Sequence, residues 1–485
     1  MNQWRCWSLF LGLSFGPAAC TKVNPAYHCQ NSTCIDPAFP YCDADGSIGG
    51  TAGVCIAVTC TAGEFGKCSG DSALTCNDTG TGYVETQCAH GCDEGTGCKL
   101  CEANQTVCAN GTVATCDASG GQTSAFQCPL GCFGDQPRCT DVEPSNHLGA
   151  YYDMVPNPQD LDLTGGWTVH LETGEITNGT TTLTPTSFLV PSLGGGPTTR
   201  VYVVNKLTLG NINLFGPLGG STLSTAFLAT ADIQINGTVA TNSGAGSIRD
   251  ASCNGHPGVQ SYEQAGACII VSGGGGGGAA AGSSGGLLLD ADPSTAIAGG
   301  PAFGTDDLQP LVGGCAGGGF HNSEAGATYT DAQNGGGAIQ LTSRSGITVN
   351  GTINMDGYGG YSDQDQGCRE SWLAGGGGGG ILLEAPVVTL AAHSTLSAAG
   401  GDGHGCNPAQ QTCGTPGHGG TGATAATAGG NVQFTTALGP SAIFYSGTGA
   451  GGVGRVRINT ATSTYTLDAS ATRNAIVTTG TIKTR

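Results

Sequence analysis

Charged side chains are scarce in this chain of 485 residues. They make up 10% of it, and 35 acids outnumber 15 bases for a formal net charge of −20. A surface of that sign repels phosphate backbones and anionic headgroups, which excludes nucleic acid as a partner. Aromatic residues contribute 6%, and no apolar run approaches the roughly 20 residues that a membrane-spanning helix needs. No amphipathic helical pattern stands out either. Glycine, in contrast, occurs 88 times. It comes in clusters without a three-residue period, which excludes collagen. Abundant β-branched residues together with low charge argue against wholesale disorder.

The N-terminus places Arg5 before a short apolar run, Trp7 to Phe15, followed by Gly16-Pro17-Ala18-Ala19-Cys20. Charge, apolar core and small residues in that order predict a secretory signal over residues 1–19. Small residues before Cys20 resemble a bacterial lipobox, although Pro17 stands where such boxes usually carry leucine. The resemblance implies cleavage before Cys20 and a diacylglycerol on its thiol. Cysteine parity agrees: of 24 cysteines, Cys6 leaves with the signal and Cys20 takes the lipid, so an even number remains for pairing.

Those cysteines fall first into three small modules. Residues 20–56 carry Cys29, Cys34, Cys42 and Cys55. Residues 57–99 carry Cys60, Cys68, Cys76, Cys88, Cys92 and Cys98, and residues 100–140 carry Cys101, Cys108, Cys116, Cys128, Cys132 and Cys139. The last two sets share one spacing frame and form a tandem repeat. Units this small cannot bury enough apolar area to fold alone, so disulfides are expected to hold them, with connectivity open. Cys98-Lys99-Leu100-Cys101 is formally a metal or redox spacing, but it straddles two modules of an exported chain.

After a linker at 141–165, residues 166–485 read as a glycine-rich β-repeat domain. Trp167–Leu171 and Glu175–Thr177 flank Glu172-Thr173-Gly174 as a hairpin. Then a two-strand word recurs: Val201–Val204 before Leu207–Ile212, Phe227–Ala229 before Ile233–Val239, Ile339–Leu341 before Ile347–Ile353, Ile381–Leu383 before Val387–Leu390, and Val456–Ile458 before Tyr465–Leu467. Alternating residues give each word one inward and one outward face. No single word buries enough surface, so stacking of neighbours predicts a β-solenoid (β-helix-like) domain. Because Asn-Gly also suits antiparallel hairpins, a β-sandwich is the alternative. The tracts Gly273–Gly278, Gly317–Gly319, Gly335–Gly337 and Gly375–Gly380 are either mobile loops or closely stacked backbone. Cys253, Cys268, Cys315, Cys368, Cys406 and Cys413 are expected to staple long loops.

In the order WTVHLETGEITNG, LTLGNINL, FLATADIQINGTV, polyglycine, GGGAIQLTSRSGITVNGTI and GGGGGGILLEAPVVTL, the chain resembles a family of glycine-rich lipoproteins predicted in myxobacteria and relatives. Six-cysteine repeats occur in similar surface proteins. The resemblance implies a compartment and an architecture; it carries no activity.

Candidate chemistry is thin. His404, Cys406, Cys413 and His418 have zinc-ligand spacing, but a Cys406–Cys413 disulfide beside two solvated histidines is the plainer account in an exported chain. Gly282-Ser283-Ser284-Gly285-Gly286 matches the G-x-S-x-G hydrolase pattern without the strand before it and helix after it that the nucleophile needs. Asp356, Asp363 and Asp365 near Tyr358 and Tyr361, and Asp306 with Asp307, are the carboxylates that a polysaccharide lyase or glycoside hydrolase would use; in Gly/Asp loops such acids are usually turn residues. Sequons such as Asn350-Gly351-Thr352 read as turn chemistry. No cofactor is implied. The expectation is an exported lipoprotein of the outer membrane or cell surface, non-catalytic, with a structural or adhesive role. Its partners would be the membrane, through the lipid, and surface polysaccharide or protein. A carbohydrate-active β-helix enzyme is the alternative.

Overall fold

A computed structural model describes residues 28–485 with interruptions, the longest at 45–50, 217–222, 243–252, 256–261, 290–296, 364–370, 405–411 and 434–442. The chain divides into two compact units, Met1–Cys139 and Thr140–Arg485. Both are mainly β, and among the described residues the one α-helix is the short Gly149–Met154. None is long and apolar enough to cross a membrane.

In the first unit the tandem repeat of sequence is a repeat of structure. Phe65–Ser69, Ser72–Cys76 and Tyr83–Gln87 form a three-stranded antiparallel sheet, and so do Thr106–Ala109, Thr112–Cys116 and Gln122–Gln127. Asn110 and Gly111 both have positive φ, 51° and 76°, as the two-residue type I′ turn of a hairpin requires.

The second unit is built on two sheets whose strands run parallel in register. One contains Thr199–Val204, Ser224–Ala229, Ala338–Ser343, Gly380–Glu384, Arg455–Thr460 and Ile476–Thr481, with the antiparallel Ser187–Val190 against its first strand. In the other, Leu161–His170 pairs with Leu207–Phe215, and the shorter pairs Ile233–Ile235 and Thr238–Asn242, Gly346–Val349 and Thr352–Asn354, Val387–Leu390 and Thr395–Ser397, and Thr466–Leu467 and Thr472–Asn474 follow in order. Each word of the sequence thus contributes one strand to the first sheet and one bent strand to the second. Asn236-Gly237 and Asn350-Gly351 mark the bend and close no hairpin. A Cβ on Gly351 would overlap the carbonyl of Gly237 in the neighbouring strand, while Asn350 Nδ2 donates to Asn236 Oδ1 at 2.8 Å. The hairpin expected at Glu172-Thr173-Gly174 is present, pairing Thr168 with Thr177.

Inward residues of both sheets meet in one core. Tyr202, Phe227, Leu341, Leu383 and Ile458 form a register column on one side, and Ile235, Val349 and Leu390 one on the other, all essentially inaccessible. Burying each such side chain stabilises by about 1.5–3 kcal/mol. The outer faces differ. The six-stranded parallel run is covered: Leu148 and Tyr152, from residues 141–165, pack on Val201, Val203, Ala226 and Leu228, and Leu308 and Leu311 pack on Ala338 and Leu382. Its central strands are therefore buried throughout. Strands of the other sheet alternate buried and accessible residues. They are called here the covered and the open sheet.

The glycine tracts are held together chiefly by backbone hydrogen bonds. Ala374 and Gly377 donate to Gly318 and Cys315, Gly375 and Gly378 to Gly449 and Gly452, and Gly376 and Gly379 to Tyr358 and Met355. Carbonyls of Gly375, Gly376 and Gly377 accept from Gly276, Gly401 and Gly336, and all these bonds span 2.8–3.1 Å. Successive residues address successive neighbours and every third returns to the same one, which is the threefold geometry of an extended polyproline-like chain. A Cβ on Gly376, Gly377 or Gly378 would overlap the carbonyl of Asn334, Gly277 or Ala398. None of these glycines has a positive φ, so glycine is required there for room. The Cys253–Cys315 disulfide ties two of the segments together, and three tracts run directly into strands of the covered sheet at Ala338, Gly380 and Arg455.

Candidate functional site

Disulfides account for the cysteine frame. Cys29–Cys42 and Cys34–Cys55 close the first module; Cys60–Cys76, Cys68–Cys92 and Cys88–Cys98 close the second; Cys101–Cys116, Cys108–Cys132 and Cys128–Cys139 close the third with the same connectivity. Cys98 and Cys101 therefore belong to different bridges. Cys29, Cys34 and Cys55 lie close enough together to suggest a metal cluster, but each sulfur is already bonded, and a disulfide offers no thiolate. Cys20, Cys368 and Cys406 lie outside the described residues. Cys268 and Cys413 fall in the strands Ala267–Ile270 and Thr412–Cys413, where only the backbone is described.

Of the zinc-spaced set, only the two histidines are described in full. Burial holds the His404 imidazole below its ordinary pKa, and its backbone N–H donates to Thr448 Oγ1. His418 is exposed, with Nδ1 3.8 Å from Asp402 Oδ1.

The candidate carboxylates described in full, Asp356, Asp306 and Asp307, have structural partners. Asp356 Oδ1 accepts from Ser397 Oγ and the Ala399 N–H, both at 2.6 Å, pinning a glycine tract to the open sheet. Tyr358 donates its hydroxyl to the Thr241 carbonyl at 2.9 Å. Asp306 pairs with Arg455 at 3.1 Å, and Asp307 accepts from the Gln309 N–H and Nε2. Asp363 lies in the strand Ser362–Asp363 with its side chain outside the described set; Tyr361 and Asp365 lie outside it altogether. Ser284 sits inside the glycine bundle, its carbonyl accepting from Gly429, with no strand-to-helix elbow to expose its hydroxyl. Ser283 beside it donates to the Thr427 and Ala450 carbonyls.

One polar constellation has no counterpart in the sequence reading. Glu384, 1% exposed, lies on the covered sheet's outer face. Its Oε1 accepts from Ser145 Oγ at 2.7 Å and Asn459 Nδ2 at 3.0 Å. Its Oε2 accepts from the Ser145 N–H, Gln340 Nε2 and Thr342 Oγ1 at 2.8–3.2 Å. A buried carboxylate needs such a set of donors. It locks the segment around Ser145 onto the sheet, and with no access to solvent it cannot exchange protons with a substrate. Its partners come from positions 145, 340, 342 and 459, a convergence that no local motif encodes.

The open sheet's outward face is accessible along its strands. Register sets Thr208, Gln234, Thr348, Thr389 and Thr466 in one column, and Thr238, Thr352, Thr395 and Thr472 in a second. Asp162, opposite Thr208 at one end of the first column, is the ionisable side chain of that register, and its Oδ1 accepts from the Thr164 N–H. Neighbours within a column repeat at the strand spacing of about 4.8 Å, so beyond Asp162 the hydroxyl and amide groups form a regular array. Such a face can bind by hydrogen bonding and contact. No family model, curated protein or solved structure matches the chain.

Proposed function

We propose that this is an exported cell-surface lipoprotein, anchored through a lipid on Cys20, with a structural or adhesive role for its glycine-rich unit. The observation that carries the adhesive part is the registered face of hydroxyl and amide groups on the open sheet, accessible while the opposite sheet is covered. Nine disulfides among the described residues support an oxidising compartment outside the cytosol. Parallel in-register ladders around a single core support a β-solenoid as the finer description of the unit, each word of sequence forming one coil. The partners are cell-surface polysaccharide or a neighbouring protein, and no catalytic role is assigned.

The mature chain, incubated with insoluble polysaccharides and with cell envelopes, tests this. Binding without release of oligosaccharide, lost when Thr348→Lys and Thr352→Lys place charges in the middle of the face, is the expected result. Released product that disappears in Asp363→Ala or Asp365→Ala overturns it in favour of a carbohydrate-active enzyme. An unmodified Cys20 in the intact mass of membrane-extracted protein overturns the lipid anchor.

A further inference from the structure

The first unit carries a site that a stapled spacer does not need. A groove of about 730 Å³ there is lined by Tyr41, Thr59, Thr61, Glu64, Phe65 and Tyr83, within the roughly 300–1,000 Å³ typical of small-molecule sites. Phe65 and Tyr83 belong to the two outer strands of one three-stranded sheet. Gly66 is the extra residue of a β-bulge, since the register passes from Phe65 opposite Thr75 to Lys67 opposite Leu74. A Cβ at Gly66 would overlap the ring of Tyr83, so the ring lies on the bulge backbone. Tyr83 is 47% exposed and lines the groove. Phe65 in turn packs against Gly97, where a Cβ would lie 3.3 Å from its Cδ2. Bulges commonly re-aim side chains at binding sites.

The tandem repeat supplies an internal comparison. In the other six-cysteine module the loop between Cys101 and Cys108 is one residue shorter than that between Cys60 and Cys68, and Thr106–Ala109 pairs without a bulge. Thr106, opposite Thr115, takes the place of Phe65 opposite Thr75, and Gln122, opposite Cys116, that of Tyr83 opposite Cys76. Strand order and disulfide connectivity are the same without either ring. The frame therefore does not require the bulge, the glycine or the aromatics.

We propose that this groove binds a neutral glycan. The electropositive C–H face of a pyranose complements the negative face of an aromatic ring, and Tyr83 and Phe65 provide such faces. The exposed Glu64 carboxylate and Thr61 hydroxyl, which have no hydrogen-bond partner among the described residues, accept from and donate to the sugar hydroxyls. Glu64 and the acidic chain repel anionic glycans. A quaternary ammonium requires a close aromatic box, which an open groove of this size does not supply. The site is independent of the open sheet's face.

Calorimetric titration of the full mature chain with neutral oligosaccharides, acidic oligosaccharides and choline tests the assignment. A neutral oligosaccharide should bind saturably. Tyr83→Ala should weaken it at least tenfold, Tyr83→Trp should retain it, and Phe126→Ala, at an exposed aromatic of the other module, should leave it unchanged. Non-reducing intact mass, showing all disulfides closed, verifies that each variant folds. Absence of binding, equal binding by Tyr83→Ala, preference for the acidic sugars or binding of choline alone would each overturn the proposal. Because Thr348→Lys and Thr352→Lys leave the groove intact, loss of binding in those variants alone implicates the open sheet, and loss in Tyr83→Ala alone implicates the groove.

Discussion

Within the second unit, two regions achieve order by opposite means. The two-sheet core does it with side chains, closing Phe227, Leu341, Ile347 and their neighbours away from water. The glycine bundle has almost no side chains and does it with backbone groups, each tract bonded to several others. Their energetics differ accordingly. Ordering a residue costs about 1–2 kcal/mol of backbone entropy, glycine loses more than any other residue, and one hydrogen bond returns about 1 kcal/mol net. A bundle of this kind does not sustain itself. Its order depends on the strands into which the tracts run at Ala338, Gly380 and Arg455, whose buried side chains supply what the glycines lack. The lesson is one of sensitivity: the core suffers when atoms are removed, and the bundle when one is added.

That contrast can be broken by measurement. Phe227→Ala, which empties a fully buried site in the core, should cost about 4 kcal/mol in urea unfolding of the mature chain. Gly377→Ala should cost about 3 kcal/mol, because its new methyl meets the Gly277 backbone and no flexible side chain can yield; a neutral result would show that the tracts are not closely packed. Glu384→Ala should cost about 2 kcal/mol by stranding the buried donors of Ser145, Gln340 and Asn459, sharpening the comparison by showing how much the cover over the core matters. Thr348→Val on the open sheet's outward face should stay within about 0.5 kcal/mol, so any loss of polymer binding in that variant reports on recognition and not on folding.

Much of this was legible in the chain. The alternation in Ile233–Val239 and Ile347–Ile353 already assigns inward and outward residues, and the structure sets those residues in register. The shared cysteine spacing foretold two equivalent modules. Less was legible about sites. Asp306 and Asp356 look alike as loop acids, and only their partners, Arg455 in one case and Ser397 in the other, show that both are structural. The Tyr83 groove left one trace, the additional residue between Cys60 and Cys68, which becomes meaningful only once Gly66 is seen to be bulged beneath a ring.

The sequence alone determined the repeating strand words, the cysteine modules and the absence of a positively charged surface, because periodicity, spacing and composition are properties of neighbours along a chain. It could not decide whether the glycines were loose or packed, which sheet would be covered, or where Glu384 would find its donors. Those outcomes depend on contacts between residues tens to hundreds of positions apart. A glycine carries no side chain whose pattern could announce such a contact. Only the tertiary arrangement, by bringing Gly377 against Gly277 and Ser145 against Glu384, settled them.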